Sequence, residues 1–270
     1  MIAWWKKKEN AWENKAAGCD CCMSKSKTLI LPDQESLIKA ATIYFSAAVN
    51  EAIRDRGQFL VALSSGNEIT PYLYGTLGSS PYKEYIPWEK IHIFWCDEKC
   101  LPPTHADSNY SLAWQYWLKH VTIPAGNIHR IKGELKREEA IKSYCDDLQL
   151  FVQGRDWPIF DWVLLQLGSF GQVASLFPGS NIELPVQDMV YSIQYPAMGK
   201  LADRIAISPK LINLARQVVI MVNGADQAEA FVSTTKGGRD ESRWPAQRIN
   251  PKDGLLVWMV DAAASQFIVI

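Results

Sequence analysis

Apolar residues along this chain fall into two kinds of stretch. Short runs, FLVALS, KIHIFWC, FDWVLLQL, DMVYSIQ, RIAIS and QVVIMVN, are mostly apolar and rich in β-branched and aromatic residues. Longer stretches, ESLIKAATIYFSAAVNEAIRD, SLAWQYWLK and REEAIKSYCDDLQLFVQ, place their apolar residues at helical spacing. The first pattern predicts strands covered on both faces, and the second predicts amphipathic helices. A further strand is expected at Lys27–Leu31. Strands of this kind alternating with helices predict an α/β fold, a mostly parallel open sheet that is Rossmann-like and three-layered, with helices on both faces. No internal repeat, low-complexity tract or linker interrupts the alternation, so residues 27–270 read as one domain. Residues 1–26, MIAWWKKKENAWENKAAGCDCCMSKS, keep no sustained period and read as a flexible appendage.

Composition narrows the function classes. Of the 270 residues 48% are hydrophobic and 21% charged, which is the balance of a soluble globular protein. Lys and Arg number 28 against 29 Asp and Glu, so no global field draws the chain to nucleic acid, and any anionic ligand must be held by local groups. No apolar run approaches the ~20 residues of a membrane span, and the N-terminus lacks the order of a secretory signal. The cysteines form no secreted framework: Cys96, Cys100 and Cys145 are scattered, and Cys19, Cys21 and Cys22 crowd into GCDCC. The expected location is the cytoplasm or another reducing intracellular compartment. GCDCC offers three thiols without a fourth ligand or a nearby His, so no metal and no cofactor are expected. Eleven tryptophans are many for this length. Core packing is the expectation for Trp88, Trp95, Trp114, Trp117, Trp244 and Trp258, and a protein interface is the other use of such residues.

In an open parallel sheet, ligands bind outside the carboxyl ends of the strands, near the point where strand order reverses. The unusual residues of this chain stand just after its strands, in SSGNEITP (64–71), CDEK (96–99), GSFGQ (168–172) and NGADQAEA (223–230). Any one of these alone is an ordinary turn or a solvated strand end. Together they mark one candidate site: Ser64, Ser65, Gly66, Thr70, Asp97, Lys99, Gly168, Gly171 and Gln227, with Arg204 opening RIAIS.

Taken in order, these segments resemble the 6-phosphogluconolactonase family, which shares a superfamily with the glucosamine-6-phosphate isomerases. CDEKCLPPTHADSNY (96–110) is similar to the family's Asp-Glu-Arg strand end and its Asp-Ser-Asn-Tyr loop. FDWVLLQLGSFGQVASLFPGS (160–180) resembles the segment that carries the family's Gly-His-Thr-Ala-Ser-Leu-Phe-Pro-Gly. RIAISPKLINLARQVVIMVNGADQAEA (204–230) and WPAQRINPKDGLLVWMVDAAAS (244–265) resemble its closing blocks. The resemblance runs from about Leu29 to about Ser265. It implies hydrolysis of 6-phosphogluconolactone to 6-phosphogluconate in the oxidative pentose phosphate pathway, with a sugar phosphate as ligand.

Such hydrolysis needs a base for water, donors for the oxyanion and cations for the phosphate. By the resemblance the base is a His, and Gln172 occupies that position; the Asp position before it is Phe170. An amide takes no proton near neutral pH, so the two catalytic positions lack titrating groups. The phosphate loop is longer and includes Glu68, the family Arg is Lys99, and the family Lys is Gln227, while Arg204 remains. His105 and His92 are the imidazoles that a rescue would require, and the expectation is a loop His and a packed strand His. The departures fall on functional positions within an ordinary scaffold. The expected protein is a lactonase-like fold with lost or weakened catalysis, and the alternative is a non-catalytic scaffold that binds a sugar phosphate or a protein partner.

Overall fold

Strands whose every residue is apolar need cover on both faces, and in the computed structural model they receive it. The structure describes residues 25–66, 68–152, 154–180, 188–197 and 200–268. The first 24 residues lie outside this set, and with them nearly all of the expected appendage, including Trp4, Trp5, Trp12 and the GCDCC thiols. In chain order the elements are β1 Lys25–Leu31, α1 Gln34–Arg56, β2 Phe59–Leu63, α2 Thr70–Leu77, α3 Tyr82–Tyr85, β3 Ile91–Trp95, β4 Asp97–Lys99 and α4 Asn109–Tyr116. They continue with β5 Ile128–His129, α5 Arg137–Gln149, β6 Trp162–Gln166, β7 Val190–Ala197, β8 Lys200–Ile207, α6 Pro209–Asn213, β9 Gln217–Val222, α7 Ala228–Thr235 and β10 Leu255–Asp261. The first strand starts at Lys25 rather than Lys27, because edge pairing of Lys25 with Leu255 needs no buried side chain to support it.

One parallel sheet of seven strands has the order β1-β10-β9-β6-β2-β3-β5. Helices cover both faces, as expected. Pleating sends Phe59 and Trp162 to one side, where both rings meet Phe45 of α1 edge-on at 5.4 and 5.3 Å. Trp117 joins the same layer against Phe45, Tyr74 of α2 and Trp88. Phe94 points the other way, toward Tyr144 of α5 and the rings of Phe151 and Phe160. On that second side Phe231 of α7 packs on Trp258. The core reading holds for Trp88, Trp95, Trp117 and Trp258, which are buried, and fails for Trp114, whose ring is 45% exposed.

The capping of α1 follows its sequence. Asp33 accepts a 2.7 Å bond from Ser36 N, Gly57 ends the helix at φ 79°, and Arg54 and Arg56 lie in the last turn, where the helix dipole favours cations.

DMVYSIQ and RIAIS depart from expectation. They form the antiparallel pair β7 and β8, which joins β4 in a separate three-stranded sheet of order β4-β8-β7. Too few residues separate the two strands for the crossover that a parallel pair requires. Cys96, the single residue between β3 and β4, ties the sheets together. Its N–H donates to Leu63 O of the main sheet at 2.7 Å, and its carbonyl accepts from Ile207 N of the side sheet at 2.8 Å.

His92 and His129 form a pair inside an aromatic cluster, with Nδ1 and Nε2 3.2 Å apart and Phe94 stacked on His129 at 4.4 Å. Burial, with His92 beside it, lowers the His129 pKa to about 4 from an unfolded 6.5. The neutral form is therefore the folded one. Stability is expected to fall as pH drops from about 6.5, where the unfolded chain takes up the proton, toward about 4, where the folded imidazole does, with no further loss below. A His129→Phe variant should flatten the melting midpoint between pH 6.5 and 5 relative to the parent; an unchanged slope in that window would show that the pair does not titrate with folding.

Candidate functional site

The chain runs outward from β2 to β3 and β5, then returns to the other side of β2 at β6 before continuing to β9 and β10. The reversal lies between β2 and β6, so their carboxyl ends frame the crevice where such sheets bind ligands. Ser64, Ser65 and Gly66 leave β2 there, and Gly168 to Gln172 follow β6. Ser64 N donates to Leu164 O at 2.8 Å, stitching the two exits together. A Cβ at position 66 would stand 1.6 Å from Gln166 Oε1, so a larger residue there would have to displace the Gln166 amide that packs against the loop. Gly66 N donates to Thr70 Oγ1 at 3.0 Å, and Ser65 Oγ lies 3.3 Å from Tyr74 Oη, which fixes the loop onto the start of α2. Glu68, exposed at the turn, lines an open hollow of about 750 Å³ along α2 with Pro71, Tyr72, Thr76 and Tyr116.

The side sheet supplies the charges. Opposed residues in an antiparallel pair share a face, and Lys99 is opposite Arg204 while Asp97 is opposite Ala206, which is opposite Tyr191. Asp97, Lys99, Arg204 and Tyr191 thus project from one side of that sheet. Asp97 is buried and accepts from Ser64 Oγ at 2.9 Å, Ser175 Oγ at 2.6 Å and Arg204 Nη2 at 2.5 Å. Arg204 Nε also donates to Ser175 Oγ at 2.6 Å. Lys99 Nζ donates to Asp107 O at 2.8 Å, and burial and the neighbouring Arg204 charge push its pKa down. Glu98 points away from this face and caps α4, accepting from Ser108 Oγ and from the N–H groups of Lys99, Asn109 and Tyr110. Burial pushes its carboxyl up against the pull of those bonds.

The turn after β6 contains no acid or imidazole. Gln172 folds its amide back over Gly168, where a Cβ would lie 2.1 Å from Nε2, and its Oε1 accepts from Phe170 N at 3.0 Å. The Phe170 ring is 65% exposed. Gly171, at φ 73°, leaves room for Trp244, whose ring a Cβ would meet at 2.8 Å, and its carbonyl accepts from Ala246 N. His105 is an exposed loop residue whose Nδ1 accepts from Asp107 N, and His92 is packed in the aromatic cluster, as expected. Gln227 does not join the charged cluster: with its amide nitrogen toward the turn, it donates to Asn223 O at 2.5 Å and Gly224 O at 3.3 Å. Among the described residues no three His, Cys, Asp or Glu side chains come together to hold a metal.

Ser64, Asp97 and Arg204 therefore meet, with Lys99 two residues along β4 from Asp97 and opposite Arg204, whereas Gln227 closes its own turn. The structure adds Ser175, which the sequence reading missed. It and Ala174 are held at φ 61° and 44°, a conformation costly for residues with a Cβ, which turns the serine toward Asp97. Tyr191 was missed as well. Its hydroxyl is buried without a partner, and burial raises its pKa, with the Asp97 charge adding to the rise. An unpaired buried hydroxyl costs about 1–3 kcal/mol, so Tyr191→Phe is expected to raise stability by about 1 kcal/mol in urea denaturation. A loss of stability would mean the hydroxyl has a partner in solution.

A family model described as glucosamine-6-phosphate isomerases/6-phosphogluconolactonase matches residues 32–258. The chain belongs to that family. A 6-phosphogluconolactonase of Synechocystis sp. is 35% identical over 240 residues, covering 88% of this chain and 96% of the relative. The crystal structure titled devB protein superposes with a TM-score of 0.80 at 27% identity, over 90% of this chain and all of that one. The 6-phosphogluconolactonase of Trypanosoma brucei reaches the same TM-score at 20% identity, over 92% of this chain and all of its own, a likeness of fold. Of the segments that carry the resemblance, CDEK lies at β4 and Gly168–Gln172 forms the turn after β6 at the switch point. The described residues contain no helix long and apolar enough to cross a membrane.

Proposed function

We propose that this chain binds a sugar phosphate at the crevice between β2 and β6 and hydrolyses 6-phosphogluconolactone weakly or not at all. The observation that carries the reading is the state of Gln172. The position that the family resemblance gives to a base holds an amide whose oxygen is already engaged by Phe170 N. Lactone hydrolysis adds water across the ester carbon and oxygen, and the attacking water must lose a proton to a base. Asp97 is a poor substitute, since its oxygens accept from Ser64, Ser175 and Arg204. Binding has better support. Lys99 and Arg204 sit side by side on the face that carries Asp97, and both are cations that a phosphate can pair with. Cys96, Cys100 and Cys145 are free thiols, which suits a reducing compartment.

The test is thermal stabilisation by 6-phosphogluconate, together with the hydrolysis rate. A ligand of the folded state raises the midpoint by mass action. We expect a midpoint rise and a pH–rate profile no different from uncatalysed lactone hydrolysis. Turnover at the rate of an efficient enzyme would sink the loss of catalysis. A midpoint indifferent to every sugar phosphate would sink ligand binding and favour a protein-binding role, for which the exposed Phe170 ring is the supporting observation.

A further inference from the structure

At the opposite ends of the same strands the chain builds a second charged cavity. Gln58 lies just before β2, Asp161 just before β6 and Arg216 just before β9. With Arg56, Leu60 and Arg155 they line a cavity of about 60 Å³, enough for one compact ion. Asp161 is buried, and its oxygens are already occupied. Oδ2 accepts from Leu60 N at 2.9 Å, and Oδ1 faces Arg56 Nε at 2.7 Å and Arg216 Nε at 3.3 Å. Both guanidiniums meet the carboxylate through Nε. Arg56 Nη1 has only a 4.0 Å approach to Asp55, which Arg54 already holds at 2.7 Å. Arg155 has no acidic partner among the described residues.

Three guanidiniums, Arg56, Arg155 and Arg216, therefore line the cavity with a single carboxylate, Asp161, which leaves a surplus of positive charge there. The dipole of α1 explains cations at its own last turn, where Arg54 and Arg56 lie, but not Arg155 or Arg216, which come from other segments. Guanidiniums with free Nη edges converging on a cavity of this size are matched by a tetrahedral oxyanion, which accepts bidentate bonds from each. We propose that this cavity is a second anion site, taking a compact oxyanion of the phosphate class between Arg56, Arg155 and Arg216. It lies one strand length, roughly 17 Å, from the crevice between β2 and β6, and does not depend on what binds there.

Inorganic phosphate is the probe, with melting midpoints measured against sodium chloride at equal ionic strength. The parent chain should gain roughly 2–4 °C when phosphate is near ten times its dissociation constant. Arg155→Glu, at an exposed residue whose side chain has no acidic partner among the described residues, should fold normally and lose that gain, while Lys142→Glu, with the same charge change on α5, should keep it. Absence of a phosphate-specific gain in the parent overturns the proposal. A gain that survives Arg155→Glu, or that Lys142→Glu abolishes equally, overturns it too.

Discussion

A Gln172→His, Phe170→Asp double variant is expected to hydrolyse 6-phosphogluconolactone at least about 10²-fold faster than the parent, the lower bound for a positioned base. The turn has room for the change. Its path is set by Gly168 N bonding to Gln172 O, by Gly171 at φ 73° and by Ala246 N on Gly171 O, and neither substitution touches those bonds. What the double change removes is the amide's bond to Phe170 N and an exposed ring. What it adds is an imidazole able to take a proton from water and a carboxylate able to orient it. Gln172→His alone should recover less, since an unoriented imidazole spends part of its time in the wrong tautomer or rotamer. A double variant that folds and binds 6-phosphogluconate yet shows no gain would place the missing function elsewhere, with the altered phosphate loop as the next suspect.

Arg204→Ala is expected to cost about 3–5 kcal/mol of stability, the range for stranding one partner of a buried ion pair. The Asp97 side chain is 3% exposed and Arg204 15%, so water cannot replace the guanidinium at Asp97. The remaining bonds from Ser64 and Ser175 soften the loss without cancelling the charge. For a protein of this size the midpoint should drop by roughly 10 °C. Adding Asp97→Ala should restore part of the loss, because the stranded charge is then gone, and denaturant unfolding of both singles and the double gives the coupling directly. If the single change costs no more than the same substitution at exposed Arg54, the buried pair does not exist in solution.

The strands of the parallel sheet were legible because burial on both faces leaves an unbroken apolar run, which few other environments demand. The membership of β7 and β8 was not. DMVYSIQ and RIAIS are apolar runs of the same kind as those of the parallel strands, and only the short stretch between β7 and β8 argues for a hairpin. At the site, Ser64, Asp97, Lys99 and Arg204 were legible from their place after or within strands that end at one edge. Gln227 was drawn in by its position in a motif, but an amide with two carbonyls within reach satisfies itself locally. Ser175 left no pattern to read, since its placement depends on backbone angles at two non-glycine residues rather than on any spacing.

Cys96 joins the two sheets by one N–H and one carbonyl, and Asp97 is its neighbour in the chain. The side sheet is thus moored twice within two residues, by the Cys96 backbone and by the Asp97 carboxylate, which holds Ser64 and Ser175. A change of volume at position 96 would load the second mooring, so its effect should be felt first in the bonds that Asp97 keeps with Ser64, Ser175 and Arg204.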